Sequence, residues 1–163
     1  MNKREMIRYS SETLGESYFK YTHPSGLDIY VFPKNMSATY ALFGVKYGSI
    51  NNSIVLDGEH VCVPDGIAHF LEHKLFESEK GDAFRQFAET GANANAYTTF
   101  DRTAYMFHAT ENILPSLEIL LDFVQDPYFT EQTVQKEQGI IGQEIGMYED
   151  NPDSRVFENL MGI

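Results

Sequence analysis

His69-Phe70-Leu71-Glu72-His73 sets two imidazoles four residues apart, with a carboxylate just before the second. On a helix, positions four apart share a face, so His69 and His73 can offer two nitrogen ligands to one metal ion. Glu72 can lean over the same ion and take a proton from a bound water. Two neutral nitrogen donors beside a carboxylate base form the core of a zinc hydrolase centre. The plainer alternative is a solvated helix that happens to carry two histidines and a glutamate. Ala68, Phe70, Leu71 and Leu75 argue against it, because polar groups on a mostly apolar turn need a partner to offset their desolvation.

A catalytic zinc takes three protein ligands and keeps one position open for water. Glu77 follows His73 by four residues, but three successive donors on one helix face would crowd one side of the ion. A later helix, expected from about Thr130 to Asp150, offers Glu131, Glu137, Glu144 and Glu149. Glu137 and Glu144 are seven apart, nearly two whole turns, and so share a face. Spacing leaves the choice between them open.

The elements that carry these residues read as an α+β layout of strands, helices, strands and helices. Met1 to Lys20 is polar and expected to pack loosely, and His23-Pro24-Ser25-Gly26 reads as a turn. Leu27 to Phe32 and Ala38 to Gly48 read as strands, with Asn51 to Gly58 as a polar connection that leaves His60 in a loop. Asp65 is the expected N-cap of the motif helix, which extends to about Phe76. Asp82 to Glu89 is a short helix stopped by Gly91. Asn95 to Ala109 reads as one or two strands divided at Asp101-Arg102, with His108 in a strand. Asn112 to Gln125 is an amphipathic helix whose core face holds Ile113, Leu117, Leu120, Leu121 and Val124. Pro152 marks a break before a last helical piece. Its apolar stripe of Val156, Phe157, Leu160 and Met161 stops without a cap, so we expect residues 1–163 to be one N-terminal domain, truncated at its C-terminus.

Twelve basic against 24 acidic residues leave a net charge of −12 over 163 residues, which argues against nucleic acid, since a phosphate binder needs a basic face. No window approaches the length of a membrane span, and the charged N-terminus lacks a signal peptide's apolar run, so a cytoplasmic, membrane-free protein is expected. Cys62 is the single cysteine, suited to a reducing compartment and expected to be a small, partly buried residue before the motif helix.

Three motifs in order carry a resemblance that runs from about Thr22 to the C-terminus. Gly66 to His73 resembles the zinc helix of the pitrilysin/insulinase metallopeptidases, whose inverted H-x-x-E-H order is the inverzincin pattern. Asn95-Ala96-Tyr97-Thr98 with Thr103-Ala104-Tyr105 resembles that family's second signature, and Glu137/Glu144 its distal glutamate pair. The likeness is to the smaller bacterial processing-peptidase-like members. It implies an antiparallel sheet with helices packed on one face, and Zn2+ held by His69, His73 and Glu144. It further implies Glu137 supporting the site, Glu72 as general base, and Asn95 and Ala96 meeting the substrate. Lys74 stands where many relatives have methionine, a cation that could tune the site. The implied function is zinc-dependent endopeptidase cleavage of peptides or unfolded polypeptides. A homologous domain or subunit is needed to complete the chamber. Gly91 to Ala96 is small-sided and could accept an extended peptide as an added strand. Two rival readings remain: a non-catalytic peptide-binding or regulatory subunit, and a structural zinc module with a closed four-ligand site.

Overall fold

The computed structural model describes residues 6–79 and 81–161 and divides into two compact units, one ending at Ser37 and the other starting at Ala38. The first is an antiparallel meander of β1 (Ile7–Ser11), β2 (Glu16–Thr22) and β3 (Asp28–Val31). This corrects the expectation of a loosely packed stretch to Lys20, of which residues 1–5 lie outside the described residues. Tyr9 pairs directly with Tyr18 and stacks on it at 5.1 Å, and Tyr18 stacks on Phe32 at the same distance. Cross-strand aromatic pairs of this kind are the unit of sheet stabilisation. They give no aliphatic alternation from which a strand could be read.

The second unit is an antiparallel sheet in the order β4 (Thr39–Val45), β10 (Thr103–Ala109), β9 (Asn93–Thr98). Its central strand pairs Met106 with Leu42 on one side and with Asn95 on the other. Alternation along β10 sends Tyr105, Phe107 and Ala109 to one face. There they pack with Phe76, Phe87, Leu120 and Phe123 from the helical layer. That layer comprises α1 (Ile67–Leu75), α2 (Ala83–Thr90) and α3 (Ile113–Phe123), each of which contacts the sheet. Asp82 caps α2 by accepting from the Phe84 N–H, and Gly91 at φ 77° ends the helix, the stop that the sequence predicts. The Thr130 hydroxyl opens α4 (Glu131–Glu149), which lies against α1, and α5 (Pro152–Met161) follows Pro152. The fold is α+β, with helices on one face of an antiparallel sheet.

Three local expectations are overturned. Asn51 to Gly58 is not a mere connection: Ser53–Leu56 (β5) and Glu59–Cys62 (β6) form a hairpin, so His60 lies in a strand. Asp57 at φ 52° and Gly58 at φ 86° supply the two left-handed residues that a tight hairpin turn requires. Cys62 is exposed rather than partly buried, because this hairpin makes its main contacts within itself. Asp65 does not cap α1. Gly66, at φ 80°, takes the cap position without a side-chain bond, and the Asp65 carboxylate accepts from the Asn52 amide instead. Between α1 and α2, the two-residue strands β7 (Glu77–Ser78) and β8 (Gly81–Asp82) pair with each other.

Candidate metal centre

Helix α1 presents His69 and His73 one turn apart, with ring centroids 4.6 Å from each other and planes inclined at 77°. Because α4 lies against α1, Glu144 reaches both rings. Its Oε1 is 3.7 Å from His69 Nε2 and its Oε2 is 3.6 Å from His73 Nε2. Among the described residues, His69, His73 and Glu144 are the group whose donor atoms all lie within 4.8 Å of one another. Tetrahedral ligands at zinc distances stand roughly 3.4 Å apart, so three slightly open donors of these types suit a divalent cation.

Glu137, two turns earlier on α4, occupies the other side of His73. Its Oε1 lies 2.8 Å from His73 Nδ1. An ionised carboxylate can only accept, so Nδ1 donates to Glu137 and Nε2 is the nitrogen that faces Glu144. The two glutamates that spacing left equivalent therefore have different positions: Glu144 among the donors, Glu137 behind one of them. Glu77, weighed as a ligand, is engaged elsewhere. It accepts from the buried Lys74 ammonium and from Lys136, and the Lys74 bond holds its carboxyl below the usual range.

Glu72 stands beside the donor group, only 8% exposed, and its Oε2 accepts from the Thr98 hydroxyl at 2.8 Å. Tyr105, buried beneath α1, has its phenol pushed well above the ordinary value, first by burial and then by the negative charge of Glu72. Asn95 and Ala96 lie on β9, an edge strand among the described residues. With Glu72, Phe76, Phe84 and Tyr128 they line a cavity of about 460 Å³. Asn95 Oδ1 accepts the Ala96 backbone N–H at 2.9 Å, so that edge donor is engaged by its neighbour's side chain. Sequence reasoning missed two participants. Thr98 entered only as a letter of a motif. Lys74, which the sequence offers only as a cation able to tune the site, has its side chain fully buried against Glu77 and the Phe129 ring. Its three-residue spacing to Glu77 was the available signal.

The profile of the family described as Insulinase (peptidase family M16) matches residues 63–163. The chain is 59% identical to the uncharacterized zinc protease YmfH of Bacillus subtilis (strain 168), over 90% of this chain and 35% of that protein. A crystal structure described as an M16-like peptidase from Alicyclobacillus acidocaldarius superposes with a TM-score of 0.84 at 45% identity, covering 88% of this chain and 34% of the other. Pitrilysin shares the fold, with a TM-score of 0.68 at 20% identity over 88% of this chain and 16% of its own. The chain thus spans about a third of YmfH and of the M16-like peptidase. It belongs to the insulinase family of peptidases, family M16.

Proposed function

We propose that this chain carries the catalytic zinc centre of a metalloendopeptidase acting on peptides or unfolded polypeptides. The observation that carries the reading is the convergence of His69, His73 and Glu144 from two helices, with Glu72 alongside and outside the donor group. Three protein donors leave a fourth position, which favours a catalytic over a structural zinc site. The names of the zinc-protease relatives agree with the metal.

When bound, zinc would supply a Lewis acid for the scissile carbonyl and bring its water's pKa towards neutrality. The remaining work falls to the chain's own groups. Glu137 holds His73 in the tautomer that presents Nε2. Glu72 accepts the proton of the attacking water and returns it to the leaving amine nitrogen. The edge strand β9 offers backbone groups to an extended peptide once Asn95 releases the Ala96 N–H. A homologous domain or subunit would supply the facing wall. Exposed Cys62 suits a reducing compartment, and we place the protein in the cytosol.

Glu72→Gln in the full-length protein tests the assignment. Zinc content should stay at one ion per site while turnover falls at least ~100-fold, the usual scale of a general base. Zinc uptake without peptide cleavage by the wild-type protein would favour the binding-subunit reading instead.

A further inference from the structure

We infer that Thr98 is a positioning residue that fixes which oxygen of Glu72 serves as the base, an inference that rests on the peptidase reading above. Three side-chain groups meet where β9 turns towards β10. Thr98 Oγ1 lies 2.8 Å from Glu72 Oε2 and 3.4 Å from Thr103 Oγ1, and Thr103 Oγ1 lies 2.9 Å from the Tyr47 carbonyl oxygen. Each hydroxyl has a single proton to give, so the directions can be assigned. A backbone carbonyl only accepts, and Thr103 therefore donates to Tyr47. An ionised carboxylate only accepts, and Thr98 therefore donates to Glu72. No proton is left for the long contact between the two hydroxyls, so nothing draws Thr98 away from the carboxylate.

The terminal torsion of a glutamate is broad, and its two oxygens are otherwise interchangeable. Clamping Oε2 removes that freedom and leaves Oε1 as the acceptor for the attacking water. The clamp itself stands on a rigid base. The turn after Thr98 is gripped by the backbone N–H groups of Ser49 and Ile50, which donate to the Thr99 and Phe100 carbonyls at 3.0 Å each. Gly48 lies so close beneath the turn that an added Cβ would fall 2.6 Å from the Arg102 nitrogen. Thr98 also ends the strand on which Asn95 and Ala96 lie beside the cavity. One strand thus holds both the base and the edge offered to the peptide, and registers the one against the other.

The test compares wild type, Thr98→Val and Thr98→Ser in the zinc-loaded, full-length protein. Valine keeps the shape and removes the donor. We expect kcat to fall roughly 10- to 100-fold, the scale of a hydrogen bond to a charged group, with KM and zinc affinity unchanged and most of the turnover restored by serine. Wild-type turnover in Thr98→Val, or equal losses in the valine and serine variants, overturns the proposal. A second measurement does not need turnover: a thermal-unfolding cycle on the metal-free protein with Thr98→Val, Glu72→Ala and the double variant. The double variant should lose less Tm than the two single losses combined, and strict additivity would refute the pairing. If the wild-type protein cleaves no peptide, the peptidase reading fails and the positioning role with it, whereas additivity in this cycle with cleavage intact overturns the positioning role alone.

Discussion

At the scale of single residues, the proposed centre is tuned by one hydrogen bond outside its donor group. The bond that His73 Nδ1 donates to Glu137 orients the ring so that Nε2 faces Glu144, without Glu137 joining the donor group. Residues in this position tune affinity rather than create it, and their loss weakens metal binding by about 10- to 100-fold. Glu137→Ala should therefore weaken zinc affinity by that factor, measured by competition with a chelator, while Glu144→Ala should weaken it much further. Equal losses from the two substitutions would show that the division of labour between the glutamates is wrong. The sequence could not make that division. A seven-residue spacing puts both carboxylates on one face of α4. Only the place where that face meets α1 decides which lies between the imidazoles and which lies behind one of them.

At the scale of elements, the join between α1 and α4 is held by charge as well as by apolar packing. The Lys74 side chain is completely buried, paired with Glu77 and lying 5.9 Å from the Phe129 ring centroid. Glu77 also meets Lys136 of α4 at 3.4 Å. Removing one partner of a buried pair leaves an uncompensated charge, whereas replacing the cation by an apolar side chain of similar volume is often neutral or better. Glu77→Ala should thus cost about 3 kcal/mol, and Lys74→Met less than about 1 kcal/mol, since Glu77 keeps Lys136. The pH dependence has a definite sign. The Glu77 carboxyl is held below its ordinary value, chiefly by the Lys74 bond, so the unfolded chain takes up its proton first as acid is added. The contribution is complete above the ordinary carboxyl value and is lost as pH falls through the folded one. Urea unfolding at stepped pH should show a steeper acid loss in wild type than in Lys74→Met. The helices were legible from their apolar spacing and from the Gly91 stop, while the cap expected at Asp65 was not formed. The β1–β2 pair was not legible, because its pairing is written in the Tyr9–Tyr18 stack rather than in an aliphatic alternation. Nor was the β5–β6 hairpin, because the Asp57-Gly58 turn signal fell inside a stretch read as polar connection.

At the scale of the whole molecule, the three donor side chains are only partly covered. The side chains of His69, His73 and Glu144 remain 33%, 25% and 29% exposed, and a peptide added to β9 would be held along one edge only. Hydrolysis needs the scissile carbonyl held in a near-attack geometry and shielded from bulk water, and a small misplacement alone can cost on the order of 100-fold in rate. On the proposed reading metal binding has no such requirement, since the three donor groups that approach one another all lie within this chain. The two capacities should therefore separate. Residues 1–163 expressed alone should take up one zinc with an affinity close to that of the full-length protein, while kcat/KM towards an unfolded peptide falls at least ~100-fold. Supplying the remainder of the full-length protein as a separate chain should recover part of that loss if it forms the facing wall. Near-equal kcat/KM for the short and full-length proteins would show that this chain holds its substrate unaided, and the need for a second homologous domain would then be wrong.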